Sequence, residues 1–324
     1  MLDRVVLRNG NIIDGEVKSM SRGKLEFDTD AMNIVSIDWD DIVHLSSSHV
    51  FEVTDVTGRL HYGEVTFADR ERMLVVRLGE ESVNLPFAVV VELRNLADGF
   101  WGKTAGYIDL GVNIVRANTL RSALLKGQFG YNGRIWEVDV NGETYFQSQT
   151  STSLGGGGTS QDETSRNSLT LEGRRNISGT WAATTSTQTE ANEELSLERR
   201  LLFSAGARYN IIRNQSLEFF TGASAVFNAE RFTGENQTES GEAKLTLGFD
   251  MFDLGDVDIF LLTETFAAKN LERVRANIDG RIAWEIVNDF TIGLSAVERF
   301  DSNPANGAAT RDYQYGLTVG WMWG

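Results

Sequence analysis

Three histidines, His44, His49 and His61, are the chain's whole supply of imidazole, and all of them precede residue 95. A hydrolase of the serine type needs a histidine base beside its nucleophile. Residues 107–324 hold none, which excludes phospholipase or lipid A deacylase chemistry of that kind there. His44 and His49 stand five apart around a run of serines, with His61 further on. Such spacing does not gather tetrahedral metal ligands, and solvated histidines at strand ends are expected. Carboxylates are plentiful, but a glycosidase needs two of them across a cleft, and no pair stands out. "EANEE" (190–194) and "GENQTES" (234–240) read as solvated loops, and "DTD" (28–30) and "DWDD" (38–41) as exposed strand ends rather than a calcium loop. "LGGGGTS" (154–160) lacks the lysine and following helix of a phosphate loop and reads as a surface loop. No catalytic, cofactor-binding or metal-ligating residue is expected, and no cofactor.

The charges do have a pattern. In "RVRANIDGRIAWEIVNDF" (273–290), Val274, Ala276, Ile278, Gly280, Ile282, Trp284 and Ile286 take every second place, and Arg275, Asn277, Asp279, Arg281 and Glu285 fill most of the places between. Only a β-strand sorts such a sequence into two faces. The apolar face is either a soluble core or a lipid-facing wall with the charges in a lumen. On the second reading Arg208, Glu218, Lys244, Glu264, Arg275, Asp279, Arg281 and Glu285 line the lumen. They either pair across strands and fill it, which a twelve-stranded barrel is small enough to permit, or border a narrow pore.

Composition narrows the choice. Against 30 basic residues stand 46 acidic ones, for a net charge of −16, so nucleic acid is not an expected partner. With no cysteine there are no disulfides or thiolate metal sites. Two prolines and 32 glycines suit long strands joined by tight turns. No run of about 18 apolar residues supplies a membrane helix. The opening "MLDRVVLRNG" reads as strand rather than signal peptide, so a leader for export is expected upstream or already removed.

The chain divides into two grammars. "VVLRNGNIIDGEV" (5–17) returns as "VTDVTGRLHYGEV" (53–65), 48 residues later, and "VSIDWDDIVHL" (35–45) returns as "VNLPFAVVVEL" (83–93), placing Trp39 on Phe87. This pattern resembles a small SH3-like or Sm-like barrel present twice, over residues 1–48 and 49–97. Sm-like modules often bind RNA, but acidic side chains outnumber basic ones here, and an RNA reader wants the reverse. Packing or protein contact is the expected use. Residues 98–106 read as a linker.

From Tyr107 onward twelve long strands are expected, at 107–117, 121–132, 134–149, 167–177, 180–188, 196–212, 216–231, 241–253, 257–268, 273–287, 290–300 and 311–323. Many exceed the usual five or six residues and suit the ~9–11 residues that a tilted strand needs to cross a bilayer. "TWAATTSTQT" (180–189) is too polar to reveal its register. Short turns (132–133, 178–179, 213–216, 254–256, 288–289) alternate with longer polar loops (150–166, 233–240, 302–310), the outer-membrane habit. An even strand count puts both ends of the barrel, and the N-terminal module, on the short-turn side, the periplasm. Tyr107, Tyr209, Trp284, Tyr313, Trp321 and Trp323 are expected at the membrane interfaces. The fold class is therefore all-β, with a transmembrane barrel over residues 107–324 and outer-membrane lipid as its surroundings. A soluble all-β binding protein with an internal core is the second reading.

"YIDLGVNIVRANTLRSALLKGQFGY" (107–131) and "RFDSNPANGAATRDYQYGLTVGWMW" (299–323) resemble the opening and closing patterns of the YdiY-like salt-induced outer-membrane proteins, a family of unassigned function. Ala117 stands where that family has glycine in its first turn. The resemblance covers Tyr107 to the end and implies an outer-membrane β-barrel in a Gram-negative-type envelope, with no catalytic residues. The last strand is similar to the signal read by the barrel-assembly machinery, through Gln314, Gly316, Val319, Trp321 and Trp323, with Gly324 after the usual terminal aromatic. Envelope structure or small-solute passage is the expected role, with a periplasmic protein or peptidoglycan as the module's expected contact.

Overall fold

The computed structural model describes residues 3–68, 72–96, 99–115, 120–133, 136–152, 159–287, 290–304 and 309–323. The first repeat forms β1 (Asp3–Leu7), β2 (Ile12–Ser21), β3 (Lys24–Thr29) and β4 (Asn33–Asp38), then a 3₁₀ turn over Trp39–Asp41. The second forms β6 (Leu60–Ala68), β7 (Met73–Leu78) and β8 (Glu81–Pro86), a 3₁₀ turn over Phe87–Val89, and β9 (Val90–Asn95). Between them β5 (Ile42–Asp55) is both the last strand of the first copy and the first strand of the second. The boundary expected between residues 48 and 49 thus falls inside a strand. The structure joins the copies in one nine-stranded sheet.

Pairing follows the repeat. Val5 faces Leu45 in the first copy, and Val53 faces Leu93 in the second. Each copy also reaches into the other, with Ser19 opposite Arg94 and Ser46 opposite Thr66. The two halves are related as in a closed dimer, where equivalent residues meet on the symmetry axis. Trp39 and Phe87 are such equivalents. Their rings lie 4.5 Å apart, and Trp39 Nε1 donates to the Phe87 carbonyl at 3.1 Å. A single core collects Val5, Phe27, Trp39, Leu45, Phe51, Val53, Leu74, Phe87 and Leu93 from both copies.

Two histidines, expected as solvated strand-end residues, pair with carboxylates. His49 Nδ1 lies 3.2 Å from the buried Asp3 carboxylate, and His61 Nε2 lies 3.1 Å from Asp55. Asp55 also accepts from the Thr57 amide (2.8 Å), the Thr57 hydroxyl (2.6 Å) and the Arg59 amide (3.1 Å). Burial pushes this carboxyl up, but the bonds from Thr57, His61 and Arg59 outweigh it and hold it below its ordinary 3.8. A carboxyl depressed by folding adds stability that is complete above its unfolded value and lost as pH falls through the folded one. The module's melting temperature should therefore drop as the solution is acidified below about pH 4. Asp55→Asn should flatten that step, and identical acid profiles for parent and variant would contradict the assignment.

The second unit is a closed antiparallel barrel of twelve strands in sequential order. Its strands are β10 (Thr104–Val115), β11 (Leu120–Asn132), β12 (Trp136–Thr152), β13 (Thr159–Asn176), β14 (Trp181–Asn192), β15 (Leu197–Arg213), β16 (Leu217–Phe232), β17 (Thr238–Leu254), β18 (Val257–Ala268), β19 (Val274–Val287), β20 (Phe290–Asp301) and β21 (Arg311–Trp323). Twelve strands match the expectation, but the loop expected at 150–166 is mostly strand. β12 runs on to Thr152 and β13 starts at Thr159, each continuing the register. The glycines of 155–158, the 288–289 turn and Ala117 lie outside the described residues. β14 takes its register from Thr189 opposite Leu201 and Ser186 opposite Ser204. On its inward row Ser186 and Ser204 Oγ bond at 2.6 Å, while Thr187 and Thr189 stand exposed on the outward row opposite Phe203 and Leu201.

Closure happens between Gly106–Leu110 of β10 and Val319–Trp323 of β21. This seam is much shorter than the neighbouring ladder, where β10 pairs with β11 from Thr104 to Val115.

Candidate functional site: the lumen and its short-turn mouth

Alternation sorts the wall. Outside stand Ile108, Leu110, Leu169, Phe203, Leu245, Leu247, Ile282, Ile292 and Val319, all exposed, with Val112 reaching 74 % and Leu317 70 %. On the inside stand charged side chains that are nonetheless buried, such as Asp109, Arg166, Glu190, Arg200, Glu230 and Arg275. A buried charge persists only when it is paired, and here the pairs are made.

The eight residues expected in the lumen all sit on the interior row. Arg208 lies 2.7 Å from Glu218 and stacks its guanidinium on Phe220 at 3.4 Å. Lys244 pairs with Glu264 at 2.8 Å. Arg275 pairs with Glu242 and covers Phe266 at 4.5 Å. Asp279 meets Arg299 at 3.1 Å and Lys126 at 3.6 Å. Arg281 donates to Asp109 at 2.7 and 3.3 Å. Glu285 stands at the rim, 3.4 Å from Lys24 of the module.

Sequence patterning cannot reveal which pairs span the barrel. Arg281 on β19 reaches Asp109 on β10, and Lys126 on β11 reaches Asp279 on β19. Arg166 on β13 and Asn192 on β14 both bond Asp312 on β21. None of these partners is on an adjacent strand, so the links cross the interior. Glu190, expected in a solvated loop, is buried and bonds Arg200 at 3.1 Å. The strand continues through it, because its interior place answers Arg200 directly.

Towards the loop side a polar cup of about 300 Å³ remains, lined by Tyr145, Gln147, Arg166, Asn192, Asp312 and Gln314 among others. A larger cavity of about 570 Å³ is a furrow opening on the outer wall over Gly127 and Gly142, in the row of Ile108 and Leu169.

Of the aromatics expected at the membrane interfaces, all but Tyr107 lie on the outward row. Trp284 (60 % exposed) and Tyr313 (64 %) point outward, as do Tyr209 and Trp321, while Trp323 stacks on Trp321 at 5.2 Å. Tyr107 does not. It shares the interior row of Asp109, and its ring covers the Arg281 guanidinium at 4.5 Å. A tyrosine can serve either face, because its ring binds cations as readily as it packs. Two outward tryptophans at the short-turn end were not anticipated, Trp136 and Trp181. Of the residues resembling an assembly signal, Gln314 points inward and accepts from Arg166 at 2.6 Å. Gly316 shares its row, and Val319, Trp321 and Trp323 share the outward one.

The module sits across the short-turn mouth, touching each short-turn end in succession. Arg94 donates to the Gly133 carbonyl at 3.4 Å. Gly58 packs so closely on the 178–179 turn that a Cβ on it would strike the Gly179 backbone, and a Cβ on Gly179 would strike the Thr57 carbonyl. Gln215 Nε2 donates to the carbonyls of Phe87 and Val90, the latter at 2.9 Å. Arg22 bonds Asp250 at 2.8 Å and lies 3.5 Å from Asp258. Lys24 meets Glu285 beside the fifth turn.

Solved structures of similar shape include the NanC porin, with 8% identity, TM-score 0.42, and coverage of 66% of this chain and 98% of that one. The KdgM porin has 8% identity and TM-score 0.35, with coverage of 68% and 99%. The outer membrane channel DcaP of Acinetobacter baumannii has 11% identity and TM-score 0.30, with coverage of 85% and 94%. No curated protein matches the chain. The family model described as "Protein of unknown function, DUF481" matches residues 108–323, which are the barrel, and the chain belongs to that family.

Proposed function

We propose that the chain is an outer-membrane β-barrel whose lumen is held shut by ion pairs, and that it anchors the two-repeat module at the periplasmic face of the membrane. The observation carrying this is the sorting of the wall: an apolar exterior such as Val112 and Leu317 around an interior whose charges bond across the barrel. Lipid is the natural solvent for the first face. The second needs no water path to stay satisfied. Aromatic side chains at the short-turn end, including Trp136, Trp181, Trp284 and Trp321, suit an interfacial girdle. The role is envelope architecture rather than catalysis. The module offers contact surface to a periplasmic protein or peptidoglycan, and the last strand's aromatics address the assembly machinery. Passage of a small solute is the second reading, favoured by the polar cup at the loop side.

Outer-membrane fractions run boiled against unboiled should show a mobility shift, and detergent-purified protein in a planar bilayer should conduct little. Monomeric protein in plain buffer with no shift would overturn the membrane reading. Large steady conductance would overturn the closed lumen and favour solute passage.

A further inference from the structure

The β2–β3 hairpin closes with a two-residue turn, since Ser21 pairs with Lys24. Both turn residues are left-handed, Arg22 at φ +50° and Gly23 at φ +74°. Such turns prefer asparagine, aspartate or glycine at the first place. An arginine there is strained, and strain that persists points to use. The Arg22 guanidinium lies over the Phe252 ring at 4.3 Å and between the carboxylates of Asp250 and Asp258. Its side chain is nevertheless 42% exposed, so solvent reaches it within the mouth. Among the described residues, no cation of the barrel itself forms an ion pair with Asp250 or Asp258. Their counter-charge comes from the module.

We propose that this mouth is a binding site for small organic cations, and that Arg22 is its built-in competitor, held in place until such a cation replaces it. The proposal rests on the membrane-barrel reading above. Two carboxylates beside an aromatic face bind alkylammonium and guanidinium groups by charge and by ring attraction. Withdrawing Arg22 alone leaves two like charges unanswered in a confined mouth, so it gives up its place only as another cation takes it.

The absence of cysteine makes a clean test possible. Thr246 lies on the interior row of β17 above Asp250. A Thr246→Cys chain, with and without Arg22→Ser, is treated with a cationic and an anionic methanethiosulfonate, with agmatine as the competing probe. The parent should label slowly with both reagents. Arg22→Ser should speed the cationic reagent by about 10-fold or more, the scale of electrostatic focusing, and agmatine should slow it again. Unchanged rates in Arg22→Ser, an equal gain by the anionic reagent, or indifference to agmatine each overturn the proposal. The same samples are run boiled and unboiled. Loss of the shift in the Thr246→Cys parent identifies failure of the barrel reading rather than of the cation site.

Discussion

Asp109→Ala is expected to lower the temperature at which the barrel unfolds, at a cost of about 3–5 kcal/mol, the penalty for stranding one partner of a buried ion pair. Asp109 is 1% exposed and accepts two bonds from Arg281, whose other face is covered by Tyr107. It lies in the closing seam, opposite Gly320. A Cβ at Gly320 would stand 1.9 Å from the Asp109 carboxylate, so the seam is shaped around this one side chain. The pair therefore ties β19 to the strand on which closure depends. Arg281→Leu in the Asp109→Ala background should recover part of the loss, because replacing both partners removes the stranded charge. The readout is the temperature at which the unboiled band disappears. An Asp109→Ala barrel as heat-resistant as the parent would mean that the seam is held by backbone pairing alone.

Trp39→Ala is expected to cost the module about 3–5 kcal/mol, as for other buried large aromatics, and to spare the barrel. Trp39 is 1% exposed and meets its repeat equivalent Phe87. Its indole also donates to the Phe87 carbonyl, so truncation leaves a cavity and removes one of the bonds that carbonyl accepts, the Gln215 amide supplying another. Both copies contribute to one core, so the loss should unfold the two together. Limited proteolysis should remove residues 1–96 as one piece while the boiled/unboiled shift persists. Survival of the second copy alone would show that the halves fold independently despite sharing β5. Phe87→Ala should cost a similar amount, and the double variant should cost less than the sum.

Period-two alternation was enough to read most strands of the barrel, because each carries its own faces in its own sequence; β14 and the facing ends of β12 and β13 are too polar to do so. The 48-residue repeat likewise announced a duplicated module. What stayed hidden depended on partners far along the chain. Tyr107 looks apolar by type, yet Arg281 draws it inside. Glu190 looks solvated within "EANEE", yet Arg200 makes it interior. The copies read as separate barrels because nothing local reveals that β5 serves both. The mouth contacts were equally illegible, since Arg22 and Asp250 are 228 residues apart and only closure brings them together. His61 gave a fainter signal: its six-residue distance from Asp55 suits a hairpin with facing side chains.

The module's grip on the mouth also sets an order of events. Residues 1–96 leave the ribosome before the barrel does, but the surface they hold is assembled from turns as late as that beside Glu285. That surface takes its final shape when β21 reaches β10. A nascent module therefore has no seat, and an unfinished barrel offers it an incomplete ring. Full seating of the module therefore requires that β21 has joined β10, so a segment made before the barrel reports on the barrel's completion.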